Sequence, residues 1–141
     1  MKIAVIGYSG SGKSTLADIL GEKYAIPVLH LDKINFLPGW QVRDLEECKK
    51  IAFEFMQRPD WIIDGNYGKL FRKERLEEAD KIILLKFNRF ACLARAYRRY
   101  KENKGSVRSS MADGCFEKFD FEFIKWILHD GRTRKIRKEY K

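Results

Sequence analysis

Cysteine is scarce in this sequence: Cys48, Cys92 and Cys115 stand far apart, and no Cys-x-x-Cys pair occurs. Neither a disulfide framework nor a structural zinc site is expected from such a set, and a reducing cytoplasm is the expected setting. Long apolar runs are also missing. No window approaches the roughly 20 uninterrupted apolar residues that cross a bilayer. The apolar stretch after Met1 stops at Gly7, too short for a secretory leader. There are two histidines, His30 among apolar residues and His129 at a predicted helix end, and both read as structural. Internal repeats, low-complexity linkers, helix-turn-helix spacing and zinc-finger spacing are all absent. These absences leave a cytoplasmic globular chain with no membrane partner.

The 141 residues fit one domain, with 45% apolar and 13% aromatic content. The net charge of +9 is unevenly placed. Residues 1–85 hold 13 basic and 13 acidic side chains, whereas residues 86–141 hold 16 and 7. A positive field of this kind favours polyanions, whether nucleotide phosphates or nucleic acid.

Apolar runs at 2–6, 28–31, 61–63 and 82–87 read as four strands, and each is continuous instead of alternating. Helical spacing fills the intervals. Leu16, Ile19, Leu20 and Tyr24 mark one stripe, and Leu45, Cys48, Ile51, Ala52 and Phe55 mark a second that runs to about Gln57. Asp44 and Glu47 resemble a capping box for that second helix. A short helix contains Leu76, another carries Phe90, Leu93, Ala94, Tyr97 and Tyr100, and a last one spans 119–128 and ends near Gly131. Strands buried on both faces and alternating with helices predict an α/β fold, a three-layer doubly wound parallel sheet.

The segment Gly7-Tyr8-Ser9-Gly10-Ser11-Gly12-Lys13-Ser14 matches Gly-x₄-Gly-Lys-Ser/Thr between a strand and a helix. Glycines let successive amide N–H groups turn inward, and the first turn of the following helix adds unpaired donors and partial positive charge. A phosphate chain suits that pocket. The expected ligand is ATP with Mg²⁺, held by Gly7, Ser9, Gly10, Ser11, Gly12, Lys13, Ser14 and Thr15, the last as a first-turn helix residue. Lys13 is expected to offset charge on the β- and γ-phosphates, and the Ser14 hydroxyl to ligate the metal.

Two carboxylates fall at strand ends near this loop. Asp64, after Trp61-Ile62-Ile63, has the Walker B arrangement and is the expected second metal residue. Asp32 reads either as a general base that holds an acceptor hydroxyl or as a turn residue. Arginines 89, 95, 98, 99 and 108 follow the fourth strand, with Arg95 and Arg99 one helical turn apart beside the apolar stripe. The polar segment from Lys104 to Gly114, within a lid-like region of about 100–118, has the composition of a closing lid. No Asn-Lys-x-Asp segment is present to read guanine.

These segments together resemble the adenylate-kinase-like P-loop kinases, and more closely the bacterial DNA topology modulation protein family. The likeness rests on Ile6-Gly-Tyr-Ser-Gly-Ser-Gly-Lys-Ser-Thr15, His30-Leu-Asp32 with Pro38-Gly39-Trp40, and Trp61-Ile-Ile-Asp-Gly-Asn-Tyr67. It continues through Arg89 with Cys92-Leu-Ala-Arg95 and Met111-Ala-Asp-Gly-Cys115. The resemblance implies that Arg95 stacks on the base and that Arg99 acts on the phosphates. Departures mark the acceptor side. Where adenylate kinases follow Asp-Gly with an aromatic residue, a proline and an arginine that grips a monophosphate, Asp64-Gly65 here precedes Asn66-Tyr67-Gly68. A fifth strand is also expected in such folds, yet residues 132–141 are basic and poorly apolar, so the sheet is one strand short or the chain is cut.

The expected activity is phosphoryl transfer from ATP to a small-molecule acceptor, with Lys13, Asp32 and Arg99 as catalytic groups. The alternative is a nucleotide-dependent regulatory or DNA-associated protein without kinase activity, motivated by the basic second part.

Overall fold

Short runs of branched apolar residues form the strands, as the sequence pattern predicts. The structure, a computed structural model, describes residues 1–8, 10–38, 41–102 and 121–128. Strand β1 (Lys2–Gly7) leads through the glycine-rich loop into helix α1 (Lys13–Tyr24), followed by β2 (Val28–His30) and the short α2 (Leu31–Asn35). Next come β3 (Phe36–Leu37), β4 (Gln41–Val42), α3 (Leu45–Met56) and β5 (Trp61–Asp64). Then α4 (Arg72–Glu78), β6 (Lys81–Leu85), α5 (Arg89–Glu102) and α6 (Phe121–Leu128) follow.

The protein is α/β, with a four-stranded sheet in the order β2-β5-β1-β6. All three pairings are parallel, with Val28 opposite Ile62, Lys2 opposite Trp61, and Ile3 opposite Lys81. Side chains alternate across this sheet, and both faces are covered. Ile3, Val5 and Ile62 pack with Ala17, Leu16 and Leu20 of α1. Ala4, Trp61 and Ile63 pack on the other face with Leu31 and Ile34 of α2 and with Cys48, Ala52 and Met56 of α3. Burial on both faces explains why these strands read as unbroken apolar runs.

Asp44 caps α3 by accepting from the Glu47 N–H at 3.4 Å, in line with the expected capping box. Two other local expectations need correction. Strand β2 stops at His30, because Leu31 and Ile34, at helical spacing, both enter the core; Asp32 therefore lies in the first turn of α2 and does not end a strand. The stretch around Pro38, expected as plain loop, carries an antiparallel β3–β4 pair with Phe36 opposite Val42; Gly39 and Trp40 themselves lie outside the described residues.

The expected helix stripes of α1 and α5 hold in part, with Leu16, Leu20 and Leu93 packed inward and other members turned out. Ile19 is 55% exposed, Phe90 71% and Tyr97 51%, whereas the small residues Ala17, Gly21, Cys92 and Ala96 are buried. Close approach is the reason: a Cβ on Gly21 would fall 2.4 Å from Val28 Cγ2. Cys92, Ala96 and Ile127 form a third apolar cluster that joins α5 to α6 beside Tyr8. The last helix is described over 121–128, and residues 119 and 120 of the expected span lie outside the described residues. The Lys104–Gly114 segment, Arg108, Cys115, His129, Gly131 and the region of the expected fifth strand lie outside the described residues. No described helix is long and apolar enough to cross a membrane.

The two-sided burial sets a clear contrast in stability. Ile63→Ala empties a fully buried site and should lower unfolding free energy by about 2 to 5 kcal/mol. Ile82→Ala, on the half-exposed edge strand β6, should cost less than about 1 kcal/mol. Urea denaturation of both variants checks the pair, and equal losses would contradict the burial pattern.

Candidate active site

The polar groups gather at the C-terminal ends of β1, β2 and β5, where the glycine-rich loop begins. Gly7 and Gly10 are tightly enclosed. With φ at +149°, Gly7 places its missing Cβ 2.4 Å from Leu85 O, and Gly10, at φ +77°, places its own 2.5 Å from Cys92 O. Only glycine fits there without shifting backbone. Gly12, in the left-handed region, begins α1 without any side-chain cap or first-turn acid. The first-turn N–H groups of Lys13, Ser14 and Thr15 therefore face outward from the helix end with partial positive charge. Ser11 N–H donates to Tyr8 O at 3.2 Å, while the buried Ser11 hydroxyl has no protein hydrogen-bond partner. Thr15 is exposed, and Ser9 lies outside the described residues.

Lys13 Nζ donates to Tyr8 O at 2.9 Å, across the loop. Burial pushes its pKa below the usual lysine range, against the opposing charges of Asp64 and Asp32, and Arg99 adds to the depression. Asp64, Asp32 and Arg99 are thus all within electrostatic reach of Lys13. The Ser14 hydroxyl donates to Asp64 Oδ1 at 3.4 Å, so the two residues expected to hold a metal are brought together. Among the described residues, no cluster of three or more His, Cys, Asp or Glu side chains forms a protein-only metal site.

His30, read from the sequence as structural, stands beside this group. It is the register partner of Asp64 in the sheet, and neighbours across a parallel pair project to the same face. Its Nδ1 meets Asp64 Oδ2, and its Nε2 lies 2.8 Å from Asp18 Oδ1 on α1. Burial disfavours the imidazolium, but hydrogen bonds and charges from Asp64 and then Asp18 outweigh it, and the pKa is raised. With an acceptor at each ring nitrogen, the doubly protonated ring satisfies both carboxylates.

The segment after β5 makes three further contacts. The Tyr67 hydroxyl donates to Asp32 Oδ1, and burial together with the Asp32 charge pushes the phenol pKa far up, so Tyr67 remains a donor. Asn66 reaches back to β1: its Nδ2 donates to Gly7 O at 2.7 Å, and the Gly7 N–H donates to its Oδ1 at 3.1 Å. Arg75 of α4 is fully buried and grips the segment from behind. Its Nε donates to Leu70 O at 2.8 Å, Nη1 to Gly65 O at 3.2 Å, and Nη2 to Tyr67 O at 3.1 Å and Asn66 O at 3.3 Å. Burial, reinforced by Arg72, lowers its pKa to about 10.

On the opposite side of the loop, Arg95 Nη1 donates to Ser11 O at 3.3 Å, and its guanidinium lies 4.0 Å from the centroid of the Phe87 ring. Of the other arginines, Arg99 is half-buried and within electrostatic reach of Lys13, Arg89 and Arg98 are exposed, and Arg108 is outside the described residues.

No protein-family model matches the chain, and no curated protein matches it. A solved structure, that of a protein from Eubacterium ventriosum described as uncharacterized, is similar in fold, with a TM-score of 0.52 at 18% identity over 99% of this chain and 75% of that one. At that identity the likeness concerns the fold alone.

The raised His30 pKa has a stability consequence with a definite sign. The contribution is complete below the unfolded value of about 6.5 and is lost as pH rises through the higher folded value. In metal-free buffer, wild-type thermal stability should therefore fall relative to His30→Gln as the pH is raised above about 6.5. Parallel pH profiles for the two proteins would show that His30 carries no such linkage.

Proposed function

We propose that the chain is a P-loop kinase that binds Mg-ATP at the loop from Gly7 to Ser14 and transfers the γ-phosphoryl group to a small hydroxyl-bearing acceptor beside Asp32. The observation that carries this reading is the convergence of Lys13, Ser14, Asp64 and Asp32 around a glycine cradle at one end of the sheet. A doubly wound, adenylate-kinase-like arrangement of this class binds its nucleotide at that end.

The residues present fit the ligand. Gly7 and Gly10 have no room for Cβ atoms, the Ser11 hydroxyl is buried without a protein partner, and α1 opens with uncapped N–H groups. These are the features of an anion pocket. A hydroxyl and a carboxylate, as in Ser14 and Asp64, suit a hard cation that takes its remaining oxygens from phosphate and water. Ser14 and Asp64 would hold Mg²⁺, which would supply positive charge against the charge that develops on the transferring phosphoryl group.

Lys13, freed from Tyr8 O, extends along the β- and γ-phosphates. Asp32, held by the Tyr67 hydroxyl through one oxygen, offers its carboxylate to the acceptor hydroxyl. The acceptor oxygen forms its bond to the γ-phosphorus as the bond to the β-γ bridging oxygen breaks, the proton passes to Asp32, and ADP leaves. Arg99 stabilises the transferring charge, and Arg95, already stacked on Phe87, offers its other face to the base. An anionic carboxylate facing the acceptor favours a hydroxyl compound without a phosphate of its own. The exposed Arg89, Arg98 and Lys101 on α5 support a second reading, in which the bound nucleotide regulates association with DNA.

The test combines γ-labelled ATP with a panel of sugars, nucleosides and other hydroxyl metabolites, alongside DNA binding over a salt series. Label should move to one acceptor class, and Lys13→Ala should slow that transfer by roughly 100-fold or more. Asp32→Asn should reduce kcat by about 100-fold or more while leaving ATP affinity within about threefold. Submicromolar DNA affinity with a steep salt slope and no labelled product would instead establish the second reading.

A further inference from the structure

The backbone ladder between β5 and β1 runs as far as the Gly65 N–H bond to Val5 O, at 3.0 Å. One residue further on, a side chain takes over. The Asn66 carboxamide donates to Gly7 O at 2.7 Å and accepts from Gly7 N–H at 3.1 Å, a two-bond bracket between residues 59 apart in sequence. It imitates one more rung of the sheet at the residue where strand becomes phosphate loop. Gly7 is wedged from the other side as well, since its missing Cβ would sit 2.4 Å from Leu85 O of β6. A primary carboxamide suits the task because it presents a donor and an acceptor side by side. The aim of that side chain is itself fixed. Arg75 Nη1 holds Gly65 O at 3.2 Å and Nη2 holds Asn66 O at 3.3 Å, so the backbone on both sides of the Asn66 side chain is tied to a fully buried guanidinium.

We propose that Asn66 is a positioning residue for phosphate binding, which sets the orientation of the Gly7 peptide from which the glycine cradle departs. The inference rests on the nucleotide reading above but names a residue outside the phosphate motif, on a different strand. It also explains why the chain has an asparagine after Asp64-Gly65: the side chain is turned toward the nucleotide side of the site, while its neighbour Tyr67 is turned toward Asp32. Two consecutive residues thereby connect the phosphate loop with the acceptor side.

Asn66→Ala removes the bracket, and Asn66→Asp keeps its size and its acceptor oxygen while losing the donor and adding negative charge near the phosphates. Calorimetric titration with ATP and with inorganic tripolyphosphate, thermal unfolding, and hydrogen exchange at the Gly7 amide form the experiment. Asn66→Ala should bind both ligands roughly tenfold more weakly, by the same factor for each because the base is not involved, and its Gly7 amide should exchange faster. Asn66→Asp should bind more weakly still. Folded variants that bind tripolyphosphate like the wild type would overturn the proposal. If Asn66→Ala fails to fold, Asn66→Asp decides the question alone. Should both unfold, the proposal is overturned as well, because Asn66 would then serve the fold and not the loop. Wild-type protein that binds neither ligand would remove the nucleotide reading itself, and this inference with it.

Discussion

Strand β5 lies between β1 and β2, hydrogen-bonded in parallel to both, and this double pairing sets where the polar groups of the site stand. Val5 and His30 flank Asp64 in register, so one carboxylate at the end of the central strand meets the helix that follows β1 and the histidine that ends β2. A slip of one residue would turn Asp64 to the other face and bring a core isoleucine to the site. The fully buried Ile62 and Ile63 oppose that slip, because each packs against its own layer of helices. Site geometry is thus anchored in apolar packing.

Electrostatics then decides which charges the interior tolerates. Burial disfavours the charged forms of Lys13 and His30, and Asp64 opposes it in both, with Asp32 and Asp18 as second partners. Burial prevails at Lys13, whose pKa is lowered, and the carboxylates prevail at His30, whose pKa is raised. Arg75 follows another rule: its donors go to four backbone carbonyls, which return part of the hydration lost on burial. A buried cation surrounded by carbonyl dipoles shapes a loop without competing for the carboxylates that the site needs.

Much of this was legible in the sequence, since strand-loop-helix order, the glycine loop and the Asp64 strand end are local patterns. The parallel sheet followed from unbroken apolar runs. What escaped was the side chains whose roles depend on contacts distant in sequence. His30 has apolar neighbours in the chain, and only the β2–β5 register reveals the carboxylate beside it. Asn66 read as a missing acceptor grip because its partner, Gly7, is 59 residues away. Asp32 was assigned to a strand end because Leu31 extends an apolar run, although its burial with Ile34 belongs to a helical turn. The helix stripes were misjudged in part for a related reason. Where Gly10 meets Cys92 O and Gly21 meets Val28, the approach is so close that small residues occupy the contact, and Ile19, Phe90 and Tyr97 face outward.

The grip of Arg75 has a consequence for how this site can diversify. It fastens the Gly65–Tyr67 segment through main-chain oxygens alone, so the path of that segment does not depend on which side chains it bears. Descendants of this sequence can exchange the residue at position 67, and with it the group that meets Asp32, while the scaffold beneath stays as it was. A buried guanidinium of this kind separates the inheritance of a shape from the inheritance of a preference.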